Sequence, residues 1–284
     1  MNTAVSIGIS IYNEEKYIDN LLNCLLKKKL DFQLKEILIV CSGCTDSSVK
    51  IIKKWIEKEK KIKLIIEKMR KGKFSAVNKI LKYSKGKYII LIDADTMPLG
   101  NTLNSLIETF KDSNVGAVTG RPIFLKTNDT ITDNLQLLIH SLHHELSLYF
   151  PIMSNVYAIK KGIVNKLPQK IINDDRYIPA VISKTHKIIY QPNSKILEIE
   201  HFGFRSYFKY RRRIAQGYIQ LSKLGLKHSP SHHLLLKLLM RRLVKEPKSF
   251  LFTILAVFIE IYSYIMAFFD VEKGNLDYKW ERLV

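Results

Sequence analysis

Cysteine is scarce, with three in 284 residues. That is too few for a disulfide framework, so small secreted scaffolds are excluded and an intracellular protein is expected. Cys41-Ser-Gly-Cys44 follows a strand pattern and precedes a helical one, where a redox pair would sit; with no second pair available for zinc, two separate buried or loop thiols are expected. Met1 to Ser6 passes at once into a strand pattern, so no apolar leader is expected. Gly-x-Gly-x-x-Gly and Walker-type loops are both missing, which removes the main support for ordinary dinucleotide and P-loop readings. Acidic residues are outnumbered: 26 Asp and Glu face 46 Lys and Arg, for a net charge of +20. Such a surface admits anionic lipid, phosphorylated substrates or nucleic acid as partners. An apolar fraction of 46% with ordinary Gly and Pro counts excludes disordered and collagen-like classes.

What is present is alternation. Residues 5–11, 36–40, 62–66 and 88–92 read as strands, and the stretches between them read as helices, with Asn13 a candidate N-cap for the first. Strands alternating with helices of this length predict βαβ units and a parallel sheet. The loops after Ile11, Val40 and Ile92 then meet at one edge. The apolar run 88–92 leads straight into Asp93-Ala-Asp95. Two residues apart at a strand end, those carboxylates can share a cation and its phosphate ligands, and carboxyl ends of parallel strands are where ligands bind. Asn13 and Glu14 can meet a base or ribose, as can Asp46 with the Ser42-Gly43 backbone. Arg70-Lys71-Gly72-Lys73, followed by Ala76 and Asn78, puts positive charge at a helix start, where backbone N–H groups also favour anions.

Taken in order, Ser10-Ile-Tyr12-Asn13-Glu14, Ser42-Gly-Cys-Thr45-Asp46, Gly72-Lys73 with Ala76 and Asn78, Asp93-Ala-Asp95, and Val118-Thr-Gly-Arg121 resemble family 2 of the GT-A glycosyltransferases over residues 4–120. The resemblance implies an α/β GT-A fold, a Rossmann-like and mostly parallel sheet flanked by helices. It also implies a nucleotide-sugar donor, a divalent cation (Mn²⁺ or Mg²⁺) and inversion at the sugar carbon. Many relatives carry a pair of Asp where this chain has Cys41-Ser42, and an Asp there helps to hold uracil, so the base of the donor stays open.

Residues 129–150 read as a helix bearing His140, His143, His144 and Glu145. His140 and His144 at i, i+4 could suit zinc, but a helix lining an acceptor cleft is the expected role. Asn173-Asp174-Asp175-Arg176 opens an apolar-periodic segment, where acidic residues are often only caps. By resemblance it matches Glu-Asp-x-x-Leu, with Asp174, Asp175 and Ile178 at the three fixed positions; Asp175 would then be the general base toward the acceptor hydroxyl. A short strand over 196–200 leads to His201, which the resemblance makes a third metal ligand beside Asp93 and Asp95. The basic helix 207–221 resembles the Gln-x-x-Arg-Trp element of processive members, but only Arg213 matches, since Tyr210 and Ile214 stand at the Gln and Trp positions. One sugar per acceptor is therefore expected, with Arg213 on a diphosphate or acceptor phosphate.

Residues 250–269 carry a single charge, Glu260, and are long and apolar enough to cross a bilayer. A central carboxylate needs a partner, so an interfacial helix is the alternative. The flanking Arg241, Arg242, Lys245 and Lys248 would keep the catalytic part on the cytosolic side of the membrane, and the apolar, basic stretch 234–244 suits anionic lipid. The resulting division is a catalytic domain over 1–203, with a donor half 1–125 and an acceptor half 126–203, and a helical membrane-associating tail over 204–284. The expected activity is transfer of one sugar to a lipid-linked or saccharide acceptor. The rivals are a nucleotidyltransferase using the same acidic pair on a triphosphate, and a nucleic-acid-binding protein, which would leave the acidic pairs without a task.

Overall fold

The computed structural model describes residues 3–126, 129–199, 203–226, 229–245 and 250–279. The apolar runs form one half of a single mixed sheet. β1 (Ala4–Ile11), β2 (Gln33–Ser42), β3 (Ile62–Glu67) and β4 (Tyr88–Asp93) pair in parallel. Their crossovers carry α1 (Ile18–Leu26), α2 (Ser48–Lys58) and α3 (Lys73–Tyr83). Beyond β4 come β5 (Thr96–Pro98), α4 (Thr102–Glu108), β6 (Val115–Phe124), α5 (Ile131–Ser147), β7 (Val156–Lys160), α6 (Asp174–Ile182) and β8 (Lys187–Glu198). The sheet order is β3-β2-β1-β4-β7-β6-β8-β5, with β7 antiparallel to both β4 and β6.

Side chains on successive residues of β4 leave on opposite faces, and both faces are covered. Ile90 and Ile92 join an apolar layer with α1 and α4, while Ile89 and Leu91 join a second with α3 and α6. α1 forms because Ile18, Leu21, Leu22 and Leu25 lie on one helical face and are all buried. Together those four contribute roughly 6–12 kcal/mol of burial. Asn13 does not cap α1; Tyr17 stands at the N-cap without a side-chain hydrogen bond.

β8 is longer than the strand expected at 196–200. It has 12 residues and pairs with β6 from Lys187 onward. Its middle, Gln191-Pro-Asn-Ser194, is polar and contains a proline. The register with β6 shifts between Gly120 and Arg121, so Gly120 faces Gln191 and Arg121 faces Lys195. The pairing loops out there and then resumes, as a bulge permits.

α7 (Phe204–Lys223), α8 (His232–Lys245) and α9 (Phe250–Glu272) complete the chain. Within the basic run on α7, Lys209 is exposed, but Arg211 and Arg212 turn to α9. Arg211 grips Glu260 of α9 through Nε and a terminal nitrogen at 2.5 and 2.8 Å, and Arg212 grips Asp270 at 2.6 and 2.5 Å. Gln216 adds a bond to Asp270 at 2.7 Å. α9 is thus clamped along α7, and its central carboxylate has the partner it requires. Its outer face leaves Leu251, Ile254, Phe258, Ile265 and Phe269 exposed. Among the described residues it is the one helix long and apolar enough to cross a membrane. After α9 the chain doubles back: the Asp277 N–H donates to Gln216 Oε1 at 3.0 Å, and Tyr278 packs on Phe74 with ring centroids 6.1 Å apart.

Candidate active site

The loops after β1 and β2 are bound to each other. Asn13 takes a left-handed conformation, φ +55°, which Asn tolerates better than most residues. Its Oδ1 accepts from the Thr45 N–H at 2.8 Å. Asp46 accepts from the Glu15 and Ser48 N–H groups, both at 3.0 Å, and the Ser48 hydroxyl accepts from the Glu14 N–H at 2.8 Å. Gly43, φ +73°, lies so close to the next loop that a Cβ there would stand 2.5 Å from the Arg70 backbone nitrogen. Only glycine fits this conformation at that distance. The approach brings the Arg70 guanidinium over the Tyr12 ring, 3.7 Å from its centroid. Cys41 and Cys44, expected as separate thiols, are paired in a disulfide at the end of β2.

The next layer is acidic. The Ser42 and Ser75 hydroxyls donate to Glu67 at 2.5 Å each, and Lys79 reaches it at 2.7 Å. Burial alone would raise the Glu67 carboxyl, but those hydrogen bonds and the Lys79 charge hold it below the usual range. Ser42 also accepts from the Lys71 N–H at 3.1 Å, which fixes the start of the loop into α3. Gly72, φ +99°, ends that loop against the Tyr278 carbonyl.

Lys73, the first residue of α3, sits between two elements. Its ammonium lies 2.8 and 2.9 Å from the two oxygens of Asp93 at the end of β4, and 3.3 Å from Asp174 at the start of α6. Asp174 also accepts from the Tyr157 hydroxyl on β7 at 3.1 Å. Removal from water raises the Asp93 carboxyl to about 7; Lys73 pulls the other way, and the charges of Asp174 and Asp95 add to the rise. The Lys73 ammonium is stabilised by Asp174 and Asp93 against its own burial, so it keeps its proton. Asp175 is raised too, by burial first and by Asp174 next, against the opposing charges of Arg176, Lys73 and Arg213. Asp95 follows in a tight turn, held by the Thr96 hydroxyl on the Asp93 carbonyl at 2.7 Å and by the Ile199 N–H on its own carbonyl at 3.1 Å.

One cavity of about 820 Å³ joins these groups. Of the residues expected in the donor and catalytic set, Tyr12, Glu14, Ser42, Lys73, Asp93, Asp95, Asp174, Asp175 and Arg213 line it. Arg213 is held there by bonds from its side chain to the Ile172 and Asp277 carbonyls, at 3.1 and 3.2 Å. The profile of glycosyl transferase family 2 matches residues 6–165, which carry most of this wall.

The chain belongs to glycosyl transferase family 2. It is 31% identical over 119 residues to the poly-beta-1,6-N-acetyl-D-glucosamine synthase of Staphylococcus epidermidis, an alignment covering 42% of this chain and 28% of that protein. The chain therefore spans little more than a quarter of the curated relatives it matches. Among solved structures, the mannosyltransferase PcManGT from Pyrobaculum calidifontis, in complex with GDP-Man and Mn²⁺, superposes with a TM-score of 0.65 at 20% identity, covering 96% of this chain and 75% of that one. Staphylococcus aureus TarS 1-349 in complex with UDP-GlcNAc gives 0.53 at 15% identity, covering 99% and 94%. The fold is accordingly the GT-A arrangement.

Not every residue expected in the site of this family 2 protein reaches the cavity. Asn78 is turned to the other side of α3, where it donates to the Leu167 carbonyl at 3.0 Å and accepts from the Leu167 N–H at 2.6 Å. Asn13 and Asp46 bind the two loops together and stand outside the lining. His201 lies outside the described residues. The His140 and His144 pair does not form a zinc site: His140 bonds to the Gln136 carbonyl and to Glu198 at 2.7 and 2.8 Å, and His144 to the Tyr190 hydroxyl at 2.7 Å. Glu67, Tyr157, Arg176 and the returning segment at Asp277 and Tyr278 were missed from sequence. Glu67 gave one signal, a lone acid closing a strand.

Asp93 and Asp95 offer hard oxygen ligands of the kind Mn²⁺ and Mg²⁺ prefer. Among the described residues no group of three or more His, Cys, Asp or Glu side chains is arranged to hold an ion alone. The two carboxylates fit a cation whose remaining ligands come from a bound diphosphate. The Lys73 ammonium beside Asp93 marks the same spot as one that attracts positive charge.

Proposed function

We propose that this protein is an inverting, metal-dependent glycosyltransferase. It moves one sugar from a nucleotide-diphosphate sugar to a lipid-linked or saccharide acceptor at the cytosolic face of the membrane. The observation that carries the reading is the meeting of two acidic pairs, Asp93 with Asp95 and Asp174 with Asp175, in one cavity with Lys73 between them. The first pair comes from the donor half and the second opens α6.

In this reading Tyr12, Glu14, Ser42 and Arg213 hold the nucleotide. Arg213 and Lys73 face the negative charge that grows on the leaving diphosphate, in a site already shaped for it. A divalent cation on Asp95, with Asp93 beside it, supplies further charge neutralisation when bound. Asp175 accepts the proton of the attacking acceptor hydroxyl. Its raised pKa, set by burial first and by Asp174 next, makes it a stronger base than a solvated carboxylate. Asp174, fixed by Tyr157 and Lys73, keeps α6 in place.

The test is a thermal-shift panel of nucleotide sugars with and without Mn²⁺. A cognate donor at a hundredfold excess over its Kd stabilises by about 2.7 kcal/mol, a rise of roughly 5 °C for a chain of this size. Asp95→Ala should lose the cation-dependent part of the rise. Asp95→Ala and Asp175→Asn should each abolish transfer, and full turnover by either would refute the assignment.

A further inference from the structure

The cavity does not end at the acidic pairs. It continues between α5, α8 and α9, where the wall changes to Leu138, Leu142, Leu235, Leu239, Val257 and Ile261. Polar anchors at its sides keep this limb open. On one side Arg242 of α8 reaches across to α5, bonding the Ser141 hydroxyl at 2.6 Å and lying 3.4 Å from Glu145, and Leu238 packs beside it against Leu146 and Ile152. On the other, the double bond between Arg211 and Glu260 fixes α9. The helices are held in position by these contacts while the space between them is lined mainly by aliphatic side chains, with Thr253 and Tyr264 among them.

We propose that this limb seats a single long aliphatic chain, so that the acceptor is an amphiphile whose head is delivered to Asp175 from a membrane. The proposal rests on the glycosyl-transfer reading of the acidic end. Its first support is chemical. A saccharide needs hydrogen-bonding partners along its length, which the six aliphatic side chains above cannot provide, whereas a chain of methylenes needs only burial. The second is continuity: the limb opens from the cavity that holds Asp95 and Asp175, so a chain lying in it carries its head to the acidic pairs. The third is the outer surface of the same helices. Leu236 and Met240 on α8 and Leu251 and Phe258 on α9 are exposed, and Lys237 and Arg241 stand exposed on α8. Apolar side chains beside cations match the boundary of an anionic bilayer, from which a lipid chain enters without crossing water.

The experiment measures binding of dodecyl phosphate, butyl phosphate and maltotetraose to the full chain, with each alkyl phosphate below its micelle concentration. Each methylene buried in the limb should tighten binding about fourfold, so dodecyl phosphate is expected to bind at least tenfold more tightly than butyl phosphate. Leu239→Trp and Val257→Trp fill the limb from two helices and touch none of the donor groups. Each should weaken dodecyl phosphate at least tenfold while leaving the nucleotide and Mn²⁺ melting rise at its wild-type value. Equal binding of the two alkyl phosphates would overturn the proposal. So would unchanged dodecyl phosphate binding in both variants, which would put the chain on the outer face, or displacement by maltotetraose. If the wild-type chain shows the chain-length effect but no melting rise with any nucleotide sugar, the limb stands and the transfer reading falls.

Discussion

Lys73 stands where two acidic groups would otherwise repel, 2.8 Å from Asp93 and 3.3 Å from Asp174. Removing the ammonium leaves both carboxylates without it in a site poor in water. Lys73→Met should therefore destabilise by about 3 kcal/mol, the low end for breaking a buried pair, because Lys73 and Asp93 each keep 30% of their side-chain exposure. Mn²⁺ would supply the missing positive charge. The melting temperature of the variant should recover more on adding Mn²⁺ than that of the wild type rises, and equal responses would count against a cation on these carboxylates. Legibility at this scale depended on position along an element. Asp93 and Asp95 could be read because they end a five-residue apolar run. Asn78 was misread because a motif gives spacing without direction: five residues from Lys73 on a helix is about 140° around the axis, so the two cannot face the same cavity. Tyr157 looked like any strand aromatic, and nothing local announced that its hydroxyl would meet Asp174.

Two histidines one turn apart on α5 have opposite fates. Both ring nitrogens of His140 face acceptors, the Gln136 carbonyl and the Glu198 carboxylate. Burial works against the charged ring, but Glu198 outweighs it and the His140 pKa is raised. His143 is buried beside Arg176 and His140, and its pKa falls to about 3. The signs follow from linkage. The native state keeps the His140 proton longer than the unfolded chain does, so its contribution is complete below pH 6.5 and is lost as pH rises through the raised value. The native state refuses the His143 proton between pH 6.5 and about 3, so there stability falls with acid. His140→Gln should flatten the melting temperature above pH 6.5, and His143→Leu should flatten its decline below pH 6.5; unchanged slopes in both would refute these pairings. Among whole elements, the parallel strands were legible from their apolar runs, whereas most of β8 was hidden. Its polar middle and Pro192 break the period-two pattern, and only pairing with β6 around a bulge makes it a strand.

For the whole molecule the question is what α9, long and apolar enough to cross a bilayer, would do at one. Arg211 and Arg212 pair with residues 49 and 58 positions away, a distance at which a run of cations gives no hint of its partners, and the sequence left that face between solvent and ligand. Clamped along α7, α9 cannot cross a bilayer without taking two arginines with it or breaking both ion pairs, and either is costly in hydrocarbon. It should therefore lie in the interface with its exposed apolar face inserted. In a Cys24→Ser background, Arg241→Cys before α9 and Lys273→Cys after it, both at exposed positions, should both be modified by an impermeant maleimide added outside intact anionic vesicles; protection of one and not the other would mean a span. The segment that follows α9 has its own bearing on practice. The Asp277 carbonyl holds Arg213, and Tyr278 covers Gly72 and Phe74. Trimming the chain ahead of α9 to make it easier to purify would strip that cover from the proposed nucleotide side, so a better-behaved fragment would be a poorer enzyme for a reason unrelated to lipid.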